Sequence, residues 1–137
     1  LGLTVELSVA GDTSLFIADR NEGNYDFFLG GWYSDYNDPL DFLYTNYTDA
    51  YGMSFGGYSN PDYDALADQL VGETDMDKRL DIYKQMEQVL LLDDCAFAPI
   101  YYATKQVLLQ NWVKDYHTSS FGASAEFIWT YIDGKNQ

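Results

Sequence analysis

The sequence has 137 residues, with 22 acidic side chains against 7 basic ones and a formal net charge of −15 at pH 7. Such a chain has no basic face that displaces counterions from phosphates, which argues against a nucleic-acid partner and against docking on an anionic membrane. The single cysteine, Cys95, cannot form an internal disulfide and does not suffice for a zinc site.

The first part of the chain predicts a strand–helix–strand unit. Apolar and polar side chains alternate from Thr4 to Val9, which is typical of a half-buried strand. Asp12 is placed to cap a short helix over 13–21, and the apolar run in Tyr25–Gly30 predicts a second strand. Two strands joined in this way are parallel with a right-handed crossover. Trp32 is then expected at the carboxyl edge of the sheet, where ligands bind in open α/β sheets.

Helical signals dominate the middle of the chain. Asp38 followed by Pro39 predicts a helical turn that reaches Tyr44. Asn60 predicts the cap of a second helix, and the longest periodic segment predicts a third helix over about 75–92, with Thr74 and Asp77 resembling a capping box. The residues expected to face the core from these two helices are Tyr63, Leu66, Ala67, Leu70, Leu80, Tyr83, either Met86 or Glu87, and Leu90.

The last part of the chain predicts short strands. An apolar strand is expected over 97–103 and continues over 106–109, residues 112–120 read as a loop, and 127–132 predicts a last strand or turn. Strands and helices together indicate an α/β protein with a mixed sheet and flanking helices.

Four motifs in a fixed order resemble one protein family. They are Gly31-Trp32-x-x-Asp35-Tyr36-Asn37-Asp38-Pro39, Gly57–Asp64, Arg79–Tyr83 with Glu87 and Asp93, and Ala98–Tyr102. This ordered set resembles the solute-binding proteins of oligopeptide ABC importers, a family that also holds dipeptide and nickel binders. The resemblance covers nearly the whole chain.

The resemblance implies a fold, a location and a function. Because the family is several times longer and two-lobed, residues 1–137 are expected to be part of a type II periplasmic-binding-protein-like C-terminal lobe, with about 98–137 as the return segment towards an N-terminal lobe. It further implies a binding protein without cofactor, not an enzyme, in the periplasm or on the cell surface as a lipoprotein. Its expected partners are a peptide or other small solute, the membrane permease and the N-terminal lobe.

The resemblance also implies a site. Asp35 is expected to pair with the α-ammonium of a bound peptide, and a carboxylate beside aromatic rings would favour a cation on physical grounds too. From the residues alone, Asp35 could instead cap the turn at Asn37, and Trp32 fits a pocket wall or a core position equally well. Tyr33 and Asn37 complete the ligand-binding set expected in this loop.

Two glycines and an arginine extend this predicted site. Gly30 and Gly31 could let a peptide backbone lie along the preceding strand, as in β-augmentation. Arg20 stands where the resemblance places a basic residue for the peptide carboxylate, although a surface arginine at a helix C-terminus explains it as well. Leu29 replaces a second basic residue that some relatives carry, which departs from the pattern for carboxylate recognition.

A calcium site is one alternative for the same loop. Asp35, Asn37, Asp38 and Asp41 resemble the start of a calcium loop. Residues 39–40 occupy the position of the required glycine, however, and Asn46 stands where a bidentate glutamate belongs. We therefore predict no EF-hand and no bound metal, and a looser site of oxygen ligands stays an alternative.

A carbohydrate-binding or glycoside-hydrolase module is the second alternative, because acids and aromatics are abundant. No pair of carboxylates is singled out by spacing, as such a hydrolase would need. Asn46-Tyr47-Thr48 also matches a glycosylation sequon.

Overall fold

The computed structural model describes residues 2–51, 55–122 and 125–135. In these ranges the regular structure comprises four α-helices, two 3₁₀-helices (Asp49–Tyr51 and Phe55–Gly57), a π-helical turn and one short antiparallel ladder. None of the helices in these ranges is long and apolar enough to cross a membrane. The elements are α1 (Thr13–Glu22), α2 (Leu40–Tyr47), α3 (Pro61–Gln69), α4 (Met76–Gln88), β1 (Val113–Lys114) and β2 (Tyr131–Ile132).

The helix ends follow their sequence signals. The Asp12 carboxylate accepts a hydrogen bond from the Leu15 N–H at 2.9 Å at the start of α1, and Gly23 ends that helix in the left-handed region with φ 71°. Asn60 caps α3 in the same manner. Asp75, rather than the predicted Thr74, caps α4, and both predicted helices are otherwise confirmed.

The core lies among α2, α3 and α4. Tyr63 of α3 is fully buried, and its hydroxyl donates to the Leu43 carbonyl oxygen of α2 at 2.8 Å. From α4 and the π-helical turn Val89–Asp93 that continues it, the buried residues are Ile82, Tyr83, Met86 and Leu90. The prediction that Leu80 belongs to this face is wrong, because that side chain is 52% exposed. Ile82 takes the core position, and a residue two places away lies on a different face of the helix.

The predicted pair of parallel strands is wrong, because neither Thr4–Val9 nor Tyr25–Gly30 forms a strand. The same holds for 97–103 and 106–109. A strand needs a hydrogen-bonding neighbour, and within the described residues these extended segments have none. Their alternation survives locally, since Phe28 packs inward on the Phe16 ring while its neighbours Phe27 and Leu29 stay exposed.

The two strands that do form are near the end of the described chain. Val113 pairs with Ile132 and Lys114 with Tyr131. The strand predicted over 127–132 is therefore confirmed in its last two residues, whereas β1 falls in a segment predicted to be a loop.

Candidate functional site

Three carboxylates within seven positions of the loop that leads into α2 have three different environments. Asp38 is the most heavily bonded: its Oδ2 lies 2.8 Å from Arg79 Nη2 of α4, and its Oδ1 accepts from the Leu40 N–H at 2.9 Å and from the Tyr83 hydroxyl. Desolvation opposes ionisation of Asp38, but these hydrogen bonds and the guanidinium outweigh it and lower its pKa. Asp38 therefore ties the loop to α4.

The same contacts keep Tyr83 neutral. Partial burial, and then the hydrogen bond to the Asp38 carboxylate and its charge, raise the pKa of Tyr83 to about 12. Arg79 Nη1 also donates to the Leu70 carbonyl at 3.4 Å and to the Glu73 carbonyl at 3.1 Å. One arginine thus joins the loop to α4 and to the segment that follows α3.

Asp41 is the buried carboxylate of the three, with 1% of the residue exposed. Its Oδ2 accepts two hydrogen bonds, from the Trp32 indole Nε1 at 2.9 Å and from the Asp35 backbone N–H at 3.0 Å. Asp41 therefore links Trp32 with Asp35, the two residues that the sequence places at the centre of the site.

Asp35 itself is exposed. Its backbone is bonded to Asp41, but no hydrogen bond or ion pair to its carboxylate occurs within residues 2–51, 55–122 and 125–135. The Asp38 N–H donates to the Tyr36 carbonyl at 3.0 Å, and no N–H within the described residues donates to the Asp35 carboxylate, which argues against the turn-capping interpretation of Asp35. The carboxylate is left accessible to a cation from outside this part of the chain.

A pocket of about 390 Å³ lies beside Asp35 and is bordered by α2 and the end of α3. Its lining combines two carboxylates with aromatic and aliphatic side chains, among them Asp35, Tyr36, Asp41, Tyr44, Tyr51 and Val71. Desolvation, and then the charges of Asp41 and Asp38, raise the pKa of Tyr36. The pocket thus offers negative charge within an apolar and aromatic surround, which suits a ligand with a cationic group.

Trp32 does not border this pocket. The half-buried indole packs edge-on against the Phe55 ring, with centroids 6.0 Å apart. The Arg20 guanidinium lies over the same Phe55 ring at 4.7 Å from its centroid, so the structure brings Arg20 and Trp32 to one aromatic ring. Arg20 also donates to the neighbouring Asn21 side chain at 3.2 Å.

The remaining predicted site residues lie on the surface of the loop. A Cβ on Gly30 would come within 2.7 Å of the Phe28 ring, whereas Gly31 faces open space. Tyr33 is 69% exposed and lies under the Lys105 ammonium, 5.8 Å from the ring centroid. Asn37 is exposed as well.

A segment near the end of the chain contacts this loop. The Gly122 N–H donates to the Ser34 carbonyl at 2.9 Å. Gly122 has φ 58°, a backbone conformation that favours glycine, and a Cβ there would lie at an ordinary contact distance of 3.6 Å from the Asp35 carbonyl oxygen. Two segments nearly ninety positions apart are therefore hydrogen-bonded to each other directly beside Asp35.

Three supports of the loop were not predicted from the sequence: Asp41 as the acceptor that links Trp32 and Asp35, Phe55 as the ring that Trp32 and Arg20 share, and Gly122 as the donor to Ser34. Only Asp41 carried a local signal, as a carboxylate in the first turn of a predicted helix. The contacts of Phe55 and Gly122 join residues far apart in sequence, which no short-range pattern encodes.

The alternatives for this loop meet specific obstacles. Asp38 and Asp41, two of the four proposed calcium ligands, already accept internal hydrogen bonds. The described residues contain no group of three or more His, Cys, Asp or Glu placed to hold a metal ion. Asn46 is only 2% exposed, so the sequon asparagine is not at the surface.

Comparison with characterised proteins gives consistent similarities. No protein-family model matches the chain. The periplasmic oligopeptide-binding protein OppA of Escherichia coli is 32% identical over 116 residues, which covers 85% of this chain and 21% of that protein. The chain thus spans about a fifth of the length of the curated relatives that it matches.

Solved structures of peptide-binding proteins are similar to this chain as well. The substrate-binding domain of an oligopeptide ABC transporter from Bacillus anthracis has a TM-score of 0.74 and 25% identity, covering 85% of this chain and 23% of that one. The pheromone receptor PrgZ, solved for its mode of peptide binding, has a TM-score of 0.74 and 29% identity, covering 96% of this chain and 24% of that one.

Proposed function

We propose that the chain is part of a solute-binding protein of the oligopeptide-type ABC importers, a receptor that binds peptides outside the cytoplasm and delivers them to a membrane permease. The fold is correspondingly that of part of a type II substrate-binding domain, with helices around a small sheet. The curated relatives are binding proteins, and on the same grounds the proposed activity is binding without catalysis. The location, in the periplasm or at the cell surface, is part of the same proposal.

The observation that carries the peptide proposal is the state of Asp35. Its carboxylate is exposed at the edge of a 390 Å³ pocket and has no partner within the described ranges, while its backbone is fixed by Asp41. A peptide α-ammonium is a cation of suitable size for such a carboxylate, and a charge-assisted hydrogen bond between them would be short and strong. Trp32, Tyr33, Asn37, Gly30, Gly31 and Arg20 complete the proposed binding set.

We further propose that residues 1–137 belong to the C-terminal lobe, with about 98–137 returning towards an N-terminal lobe that completes the cleft. The described surface supports this division. Side chains that ordinarily lie inside proteins are exposed in both outer segments, for example Leu7 at 83%, Tyr102 at 95% and Leu108 at 100%. Closure of two lobes around the peptide would then follow a hinge motion.

Two measurements on the complete protein test this proposal. Mass spectrometry of molecules that co-purify with it identifies the ligand, and we expect peptides. Recovery of a sugar or a metal chelate alone would contradict the peptide assignment.

Calorimetry then measures Asp35→Asn with a recovered peptide in free and N-acetylated form. If Asp35 holds the ammonium in a cleft that the proposed second lobe closes, the pair is buried there and the substitution costs about 3–5 kcal/mol, the usual loss for a buried pair deprived of one partner. That corresponds to roughly a hundred- to several-thousand-fold in affinity for the free peptide. The acetylated peptide should bind the unaltered protein poorly and lose little further on substitution. Equal losses for both peptides would assign Asp35 to loop structure.

A further inference from the structure

We propose that Asp41, although it lies in the wall of the same pocket, acts on ligand binding as a positioning residue that fixes Asp35 and Trp32, while Asp35 is the carboxylate that pairs with the ligand's ammonium. The inference rests on the proposed function, since it explains how Asp35 is prepared for its ligand. One oxygen, Asp41 Oδ2, receives both the Trp32 indole N–H at 2.9 Å and the Asp35 backbone N–H at 3.0 Å. A single atom therefore sets the relation between the two residues.

Asp41 is itself held by the core. It lies in the first turn of α2, where the helix dipole favours a negative charge, and its own N–H donates to the Asp38 carbonyl at 3.1 Å. The next turn of α2 carries Leu43, which is buried and bonded through its carbonyl to Tyr63. Because Asp41 is part of α2 and α2 is packed in the core, the hydrogen bonds to Asp41 hold the loop in a fixed position relative to the core.

The bonding pattern leaves the Asp35 carboxylate available. The Asp35 backbone N–H donates to the Asp41 carboxylate, and the Asp38 carboxylate accepts from Arg79 and from the Tyr83 hydroxyl. Of the three carboxylates, only that of Asp35 has no partner within the described ranges. Asp41 and Asp38 therefore support the loop, and Asp35 is the one that can pair with a ligand.

Asp41 is a buried carboxylate without a cationic partner among the described residues, which is a second reason to infer a positioning role. It is 1% exposed, and no lysine or arginine within the described residues forms an ion pair with it. Burying a carboxylate with only neutral donors is costly, so an apolar residue would serve stability as well or better. A buried acid that instead accepts from both residues of the predicted site points to a role in arranging that site.

The expected consequence is a population effect on affinity. Without Asp41, the Trp32 indole and the Asp35 N–H lose their acceptor, and the loop samples other conformations. Apparent affinity falls by the fraction of molecules that keep the competent loop. A competent fraction of about a tenth to a hundredth weakens binding about ten- to a hundredfold.

The test uses the complete protein with Asp41→Asn and Asp41→Ala, each also in an Asp35→Asn background. Asp62→Ala is the matched control, since Asp62 is an exposed acid in the first turn of α3. The probe is a random tetrapeptide library, free and N-acetylated, with bound peptides measured by equilibrium dialysis and mass spectrometry. Selective ¹⁵N labelling of tryptophan reports the Trp32 indole N–H resonance, assigned by Trp32→Phe.

We expect Asp41→Ala to weaken binding of the free library about ten- to a hundredfold, and Asp41→Asn to weaken it less, because the amide keeps one acceptor oxygen. Acetylated peptides should change little, and in the Asp35→Asn background Asp41→Ala should have almost no further effect. The indole resonance should shift in both Asp41 variants and stay in place in Asp62→Ala.

Several outcomes would overturn the inference. An unshifted indole resonance in Asp41→Asn would show that the hydrogen bond is absent. Equal losses for free and acetylated peptides, or additive losses with Asp35→Asn, would reduce Asp41 to a general stabilising residue. If Asp41→Ala does not fold, the same comparisons between free and acetylated peptides, and between the two Asp35 backgrounds, are made with Asp41→Asn and test the inference. Failure of the proposed function would give a different result. In that case the unaltered protein would bind neither library, or Asp35→Asn would weaken binding of the free and the acetylated library equally.

Discussion

At the scale of single residues, one short loop shows how neighbouring carboxylates acquire different tasks. Asp38 is surrounded by donors from α4 and has a lowered pKa, Asp41 is buried beneath the loop, and Asp35 is exposed. The residue type is identical in all three, so the difference comes from what surrounds each carboxylate. Spacing in the sequence indicates a cluster of acids, and only the packed structure separates its members.

Asp38→Asn is expected to destabilise the protein by about 1–3 kcal/mol at pH 7, because a partly buried guanidinium and a hydroxyl lose their charged acceptor. The pKa of Asp38 is lowered in the folded state, so its contribution is present above the unfolded-state pKa and is lost as pH falls through the lower folded-state value. The stability difference between the unaltered protein and Asp38→Asn should therefore shrink below the ordinary pKa of 3.8.

Urea unfolding at a series of pH values measures this difference. Asp77→Asn, an exposed acid in the first turn of α4, is the matched control. A difference that stays constant from neutral pH down to strongly acidic pH would refute the Asp38–Arg79–Tyr83 linkage.

At the scale of elements, the helices depend on local signals and the extended segments do not. Caps at Asp12 and Asn60, and periodic apolar residues in α3 and α4, are sufficient to define helices whose hydrogen bonds are internal. The segment Thr4–Val9 has the alternation of a strand but no ladder partner within the described chain. The helix phase was the subtler problem, since Leu80 and Ile82 are both apolar and only Ile82 is buried.

This phase is tested by a pair of alanine substitutions in the same segment. Leu90→Ala removes a fully buried side chain and is expected to cost about 2–5 kcal/mol. Leu80→Ala, at a site that is 52% exposed, should stay within about half a kcal/mol. Chemical denaturation of the two variants gives both values, and similar costs for both would show that the assigned helix face is incorrect.

At the scale of the whole molecule, the chain exposes more surface than its size predicts. Its accessible surface is 10879 Å², whereas a compact protein of 15.6 kDa is expected to expose about 7,000 Å². The excess includes apolar and aromatic side chains such as Val9, Ile100 and Leu108. Such a surface is typical of a chain whose outer segments pack against further polypeptide.

The 137-residue chain produced alone is therefore expected to bind a hydrophobic dye such as ANS and to self-associate. The complete protein should do neither, because the proposed second lobe covers this surface. Dye fluorescence and light scattering on both proteins make the comparison. A monomeric 137-residue chain without dye binding would contradict the proposed two-lobed arrangement.

By itself, the sequence determined the features that depend on near neighbours. These are the four helices, the caps at Asp12 and Asn60, and the buried stripe of α3, and the sequence also predicts the loop from Gly31 to Pro39 as the candidate site. The ordered motifs also indicated the peptide-binding proteins to which the chain is similar, because a motif is read along the chain and needs no coordinates.

Only the tertiary structure decided how that loop is held. The Arg79 and Tyr83 contacts to Asp38 span more than forty positions, and the Gly122 contact to Ser34 spans nearly ninety. The assignment of Asp41 as the acceptor beneath Trp32 depends on burial, and burial depends on which helix face packs inward. Long-range contacts and strand pairing follow from the three-dimensional arrangement of distant segments, whereas helix hydrogen bonds join residues four apart, which is why the helices were predictable and the site's supports were not.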